Sequence, residues 1–330
     1  MTSMPPARRA APTAPEPFLV TTSEPEEQAS SLALLDQRYE QLSRGPFSGS
    51  LSCISVGRVT LFREALEQSV YQTGCAPTDR LTVAASCELS AEAYWNGRHI
   101  GNDAIITFAP GREFELISPR HAVCVGMSIS GDDWMDSDGA ASSGDWSRPL
   151  LSNDSWSDIG SARQKFSDHI SAVLSALSCS PTMLGERAAC EQLADELLGD
   201  LATRIDEAAG PAPRVRESSY PRIAQRARAA MLERIDEHVS VRDLCDATGC
   251  SRRSLQYAFE SVFGVTPVAY LRTLRLNAVR RELRHPQPGT TVHDVAARLG
   301  FWHFPRFAQE YAKMFGELPS RTLSKCRAQA

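Results

Sequence analysis

The sequence predicts an α+β chain of two domains. The N-terminal domain reads as a small antiparallel β-barrel or sandwich with attached helices, and the C-terminal domain as all-α. Three observations carry this. Between about residues 49 and 129, apolar residues alternate with period 2, the strand signature. From 220 to 325 the pattern is helical and repeats itself. Between the two, the sign of the charge reverses. Residues 1–213 hold 15 Lys+Arg against 29 Asp+Glu, a net of −14, and residues 214–330 hold 20 against 11, a net of +9. A length of 330 residues, 42% apolar and 23% charged, suits two ordinary globular domains. A basic domain on an acidic body points to a polyanion as its partner, with a solvated Arg-rich helical surface as the alternative.

In chain order, residues 1–30 hold six of the 20 prolines with many Ala, Ser, Thr and Glu, the composition of a disordered tail. Order is expected to begin near Leu32, with a short helix over Leu34, Leu35, Tyr39 and Leu42. Residues 31–160 form the β-rich regulatory domain. Leu81, Val83, Ala85, Cys87 and Leu89 point to one face of a strand, and Val123, Val125, Met127 and Ile129 repeat the pattern. Asn96-Gly97 sets a hairpin between Tyr94-Trp95 and Arg98-His99, and Pro110-Gly111 sets another turn. Residues 161–208 are helical. Phe166, Ile170, Val173, Leu174 and Leu177 make one apolar stripe, and Leu193, Leu197, Leu201 and Ile205 another. The second stripe suits a helix that pairs with its copy in a homodimer or packs on its own barrel. Residues 209–219, with Gly210-Pro-Ala-Pro213, read as a linker.

The basic domain, 220–326, contains two copies of one pattern. The first is Ser240-Val-Arg-Asp243, Gly249, Leu255, Phe259, Phe263-Gly264, Pro267; the second is Thr291-Val-His-Asp294, Gly300, Phe307, Tyr311, Phe315-Gly316, Pro319. The offset is 51 residues up to the glycine and 52 beyond it, so the second turn carries one extra residue. Ser or Thr followed three residues later by Asp is a capping box. Glycine then ends the short helix in a left-handed turn, and Ser251 caps the next one. Short helix, tight turn and capped second helix make a helix-turn-helix, whose second helix enters the DNA major groove. Between the copies, Pro267–Arg284 predicts an 18-residue strut, roughly 27 Å long. Leu271, Leu274 and Ala278 lie on one of its faces, and Leu276, Val279 and Leu283 on another. Two reading helices held roughly 34 Å apart meet successive major-groove turns.

Cys250-Ser-Arg-Arg-Ser-Leu-Gln-Tyr-Ala-Phe259, Phe263–Arg272, Leu274–Arg280, Ala296-Ala-Arg-Leu-Gly-Phe301 and Phe307–Pro319 resemble the DNA-binding domain of the AraC/XylS family of bacterial transcription regulators, over about 105 residues. The resemblance implies double-stranded promoter DNA as partner, RNA polymerase as a second partner, and activation as the sign, with repression as the alternative. It also implies a cupin-like N-terminal barrel that senses a small-molecule effector. A domain that only dimerises or binds a protein without any ligand is the rival.

On the first reading helix Arg252, Arg253, Ser254, Gln256 and Tyr257 face away from the apolar positions; on the second, His303, Arg306 and Gln309 do. Arginine pairs with guanine and glutamine with adenine through two bonds each, and contact with phosphates or plain solvation is the alternative for each of these residues. His303-Phe304-Pro305 stands where the family has polar residues, which predicts less direct readout by the second motif, or apolar contacts to thymine methyls. Arg275, Arg280, Arg281 and Arg284 on the strut suit either phosphates or internal ion pairs.

No catalysis, cofactor or metal is expected. His99 and His121 are 22 residues apart, and no HxH, Walker A or GxSxG motif occurs. Trp95, Tyr94, Phe108, Arg58, Arg98 and Arg112 are candidates for a barrel mouth, or for ordinary core and rim. Nine cysteines without a CxxC predict reduced, mostly buried thiols, with a redox sensor as the alternative. No run of roughly 18 apolar residues occurs, and Arg8-Arg9 precede no apolar segment, so no membrane span or signal peptide is expected and the cytoplasm is the expected location.

Overall fold

The alternation from residue 49 onward becomes two antiparallel sheets in the computed structural model, which describes residues 18–102, 104–131, 155–156, 160–180, 184–208 and 219–328. Twelve strands are described: β1 (Phe18–Thr22), β2 (Asp36–Gln41), β3 (Gly49–Val56), β4 (Val59–Leu66), β5 (Val70–Cys75), β6 (Arg80–Leu89), β7 (Ala93–Trp95), β8 (Arg98–Ile100), β9 (Ile105–Phe108), β10 (Glu113–Ser118), β11 (Ala122–Ser130) and β12 (Ser155–Trp156). One sheet runs β1-β3-β4-β11-β6-β9-β12 and the other β2-β5-β10-β7-β8. Each sheet keeps two edges, so of the barrel and the sandwich expected the domain is the sandwich, and the cupin-like barrel that the resemblance implied is not closed. The turn at Pro110-Gly111 carries the chain from β9 in one sheet to β10 in the other. Asn96 and Gly97 both take positive φ (43° and 86°) and close the β7–β8 hairpin as expected.

Leu51, Phe62, Ile106 and Phe108 from one sheet meet Trp95 and Phe114 from the other. The other face of the seven-stranded sheet is covered by α2 (Gly160–Cys179) and α3 (Arg187–Ala208). Leu197, Leu201 and Ile205 of α3 are spent there, on their own sheet. Of the two uses expected for that stripe, the described one is internal. β6 is buried on both sides for the same reason, since its two faces serve two cores. A bulge opposite Val123 and Cys124 shifts its register, and Leu89 turns to the inter-sheet side, away from Leu81, Val83 and Ala85.

Two further expectations at the N-terminus are corrected. Phe18–Thr22 is β1, and Pro25–Ser31 is a helix, α1, so order starts well before Leu32; residues 1–17 lie outside the described residues. Pro25 suits the first helical turn. The expected helix over Leu34–Leu42 is largely strand β2, where Tyr39 turns to the core while Glu40 turns to the C-terminal domain.

Seven helices follow: α4 (Tyr220–Glu233), α5 (Val241–Thr248), α6 (Arg252–Phe263), α7 (Pro267–Arg284), α8 (Val292–Arg298), α9 (Phe304–Phe315) and α10 (Pro319–Arg327). Tyr270, Leu271 and Leu274 of the strut α7 pack with Leu255 and Phe259. Leu276, Val279 and Leu283 pack with Phe307, Tyr311 and Phe315. Ala278 belongs to this second cluster, contrary to expectation, because the strut has by then passed out of the first.

Candidate nucleic-acid interface

Each motif is built by its own capping. Ser240 Oγ accepts from the Asp243 N–H at 3.2 Å, and Asp243 Oδ2 accepts from the Ser240 N–H at 2.7 Å. The Ser240 hydroxyl also donates to Asp243 Oδ2 at 2.7 Å, and this bond, with the one from the Ser240 N–H, holds the Asp243 carboxyl below its ordinary range. Gly249 ends α5 at φ 67°, and Ser251 caps α6 by accepting from the Ser254 N–H at 3.1 Å. In the second copy Thr291 accepts from the Asp294 N–H at 3.1 Å, Gly300 turns at φ 80°, and His303 caps α9. Helices α6 and α9 each end in a left-handed glycine, Gly264 and Gly316.

The structure places all eight predicted residues on α6 and α9 or at their caps. Arg252, Arg253, Tyr257, His303, Arg306 and Gln309 are exposed, and Ser254 and Gln256 are half-buried. Arg253 lies over the Tyr257 ring at 5.3 Å and donates to its hydroxyl at 3.1 Å, which orders both on one face. Gln256 donates to Glu260 at 2.6 Å, and Arg306 to Glu310 at 2.9 Å. His303 Nδ1 accepts from the Arg306 N–H at 3.3 Å, so one ring nitrogen serves the helix and only the other can meet a ligand.

Trp302 was missed. It is the most exposed large apolar residue described, at 79%, and stands directly before α9. The first motif passes from its glycine to its cap as Gly249-Cys250-Ser251, the second as Gly300-Phe301-Trp302-His303. With Phe301 buried like a core residue, Trp302 is the extra residue that the change of offset announced.

Three of the four strut arginines take the second of their two expected roles, the internal ion pair. Arg280 donates to Glu24 at 2.6 and 3.0 Å and lies 3.4 Å from Glu317. Arg284 reaches Glu24 at 3.0 Å and Glu27 at 2.9 Å; Arg281 faces Glu26 and Glu40. Arg275 is tied to the Ile235 carbonyl at 2.9 Å. On α4, Arg228 pairs with Glu40 at 2.8 Å. Three of the four charges that looked available for phosphate, Arg280, Arg281 and Arg284, therefore bind the two domains together, and Arg275 is held within the C-terminal domain. Asn277 completes the junction: its amide donates to the Gln41 carbonyl at 2.9 Å, and its Oδ1 accepts from the Gln41 N–H at 3.2 Å.

Of the residues proposed for a barrel mouth, Phe108 alone lines the inter-sheet cavity. Trp95 is core, Tyr94 packs toward α4 and α6, Arg58 pairs with Asp195, and Arg98 and Arg112 are exposed. All nine cysteines are free. Burial pushes the Cys53 thiol up to about 11 and raises Cys87 and Cys124, which disfavours the reactive thiolate. Among the described residues, no cluster of three or more His, Cys, Asp or Glu is placed to hold a metal ion. No described helix is long and apolar enough to cross a membrane.

Two capped helices, each following a short helix and a tight turn and joined by one strut, make the C-terminal region a double helix-turn-helix. A family model described as "Helix-turn-helix domain" matches residues 244–325. The XylDLEGF operon transcriptional activator 2 of Pseudomonas putida is 40% identical over 93 residues, covering 28% of this chain and 59% of that protein. The XylDLEGF operon transcriptional activator of the same organism is 36% identical over 96 residues, 29% of this chain and 30% of that protein. An AraC-type transcriptional regulator structure from Chromobacterium violaceum is 27% identical, covers 33% of this chain and 96% of that chain, and has a TM-score of 0.31. The chain thus spans less than two thirds of the length of these activators. The C-terminal region is a helix-turn-helix domain of the AraC/XylS family of transcription regulators.

Proposed function

We propose that the protein is a sequence-specific transcription regulator that inserts α6 and α9 into successive major-groove turns of promoter DNA, and that its sandwich domain receives a small-molecule signal. The observation that carries the DNA reading is the pair of capped helices on an 18-residue strut, each with an outward face of Arg, Gln and aromatic side chains. Arg252, Arg253, Ser254, Gln256 and Tyr257 read one half of the site; His303, Arg306 and Gln309 read the other. Activation, with RNA polymerase as the further partner, accords with the two Pseudomonas putida relatives, both described as activators. No reaction is assigned to the chain.

The signal reading rests on a path of contacts. A cavity between the sheets holds the buried Glu64 carboxyl, bonded to Gln28 of α1 and Tyr39 of β2. The same two elements present Glu24, Glu26, Glu27 and Glu40 to the arginines of α7 and α4. An occupant that repositions α1 or β2 alters the hold on the strut. It acts as an effector to the extent that it binds one arrangement of the domains better than the other.

The test is selection from fragmented genomic DNA by the purified protein. Enrichment of sites with two short blocks about one helical turn apart is the expected result. Retention without any sequence preference, with and without a metabolite mixture, refutes the reading of both helices as base readers.

A further inference from the structure

We infer that the inter-sheet cavity is a binding site for a small aliphatic amine, its ammonium paired with the Glu64 carboxylate and its alkyl body set against Leu35, Phe62, Ile106 and Phe108. This rests on the proposal that the sandwich domain receives a small molecule, and it names the chemistry of that molecule.

The side chain of Glu64 points between the sheets, and the residue is only 4% exposed. Its surroundings are arranged to donate to it. The Thr22 hydroxyl donates to Gln28 Oε1 at 2.6 Å, which fixes the amide so that its nitrogen donates to Glu64 Oε1 at 2.8 Å. The Tyr39 hydroxyl lies 3.0 and 3.2 Å from the two carboxyl oxygens. A carboxyl that receives donors in this way is prepared to accept, as a carboxylate does.

What the site lacks is a cation. No Lys, Arg or His lines the cavity; its other polar side chains are Gln37, Tyr39, Gln72, Ser86, Ser118 and Cys124. Arg63 precedes Glu64 in β4 and is exposed on the opposite face. Burial accordingly raises the carboxyl above its ordinary range, against the pull of the Gln28 and Tyr39 bonds. A buried charge without a partner is costly, and a partner arriving with the ligand removes that cost. A carboxylate ligand would add a second negative charge, and an alcohol would leave the first one uncompensated.

Size narrows the class. The cavity measures about 50 Å³. At roughly 10–15 Å³ per water-sized atom, that accommodates about three to five non-hydrogen atoms. Isobutylamine, isobutanol and propionate have equal numbers of non-hydrogen atoms, at the upper end of this size, with cationic, neutral and anionic heads.

The experiment is isothermal titration and thermal shift of the full chain with each of the three compounds. Isobutylamine is expected to bind and raise Tm, with isobutanol at least tenfold weaker and propionate without effect. Glu64→Gln is expected to lower amine affinity tenfold or more and to erase the preference over the alcohol. Ala84→Val narrows the cavity and keeps the carboxyl, so it should weaken the amine even if Glu64→Gln does not fold. Equal binding of alcohol or acid, or amine binding untouched by the variants, overturns the amine assignment and leaves a small-molecule site standing. Absence of binding by all three also overturns it; the broader sensor proposal fails separately, if a wide metabolite panel produces no shift either.

Discussion

Replacing Arg280 by Met tests whether the ion pairs at the strut hold the domains in register. Methionine keeps an apolar stem beside Phe315, over whose ring the guanidinium lies at 4.6 Å, and removes the charge. Glu24 and Arg280 are each 7% exposed, so the pair is a buried one. At an effective dielectric of about 20, opposite charges ~4 Å apart attract by ~4 kcal/mol. Removing one partner of a buried pair costs roughly 3–5 kcal/mol. Here Arg284 still reaches Glu24 at 3.0 Å and Lys325 still reaches Glu317 at 2.6 Å. The loss should therefore lie near the low end, ~3 kcal/mol, or about 100-fold in the docking equilibrium. Two amide protons report on that equilibrium directly. The Gln41 N–H donates to Asn277 Oδ1, and the Gly45 N–H donates to the carbonyls of Lys313 and Met314 at 3.1 Å. Hydrogen exchange at both should quicken about 100-fold in Arg280→Met, while amides in the centre of β11 keep their protection. A double cycle with Glu24→Gln should be non-additive by more than ~0.5 kcal/mol. Unchanged exchange at Gln41 and Gly45, or additivity within that margin, refutes the argument.

Further expectations concern the reading helices. Arg253→Ala should weaken specific DNA binding by ~1–3 kcal/mol and relax preference at one base position in a selection experiment; an unchanged preference removes Arg253 from the readout set. Gly249→Val meets no atom within 4 Å, so its cost is backbone strain at φ 67°, at least roughly 1–2 kcal/mol by denaturation, with DNA affinity falling alongside. Normal stability would show that the turn relaxes. Trp302→Ala should leave stability within ~0.5 kcal/mol and still weaken specific binding, since the side chain is 79% exposed beside α9; equal binding by fluorescence anisotropy would make it a bystander.

Much of the DNA-binding domain was legible because its signals are local. Ser240 and Asp243 are three residues apart, Gly249 sits at the end of its helix, and the strut begins and ends where Pro267 and Arg284 put it. The sandwich was legible as alternation but not as topology, since pairing β11 with β6 or β5 with β10 requires contacts distant in sequence. The bulge that turns Leu89 toward the cavity has no counterpart in the pattern of β6. The domain junction was the least legible part. Glu24 and Arg280 are 256 residues apart, and a proline-rich, acidic segment reads as disorder until its partner is known. The same charges that suggested phosphate contacts were already committed. Trp302 left a trace in the spacing, but only the fold shows that it stands in solvent.

The bond pair between Asn277 and Gln41 has a consequence for the sandwich domain itself. Strand β2 is the rim of the five-stranded sheet, and a free rim is a template on which another extended chain can assemble. Asn277 blocks it at Gln41 by supplying one donor and one acceptor, as a neighbouring strand would, and α7 bars the approach. The helical domain thus acts as a guard against strand addition. Were the helical domain to leave the sandwich, that rim would be uncovered and open to strand addition by another chain.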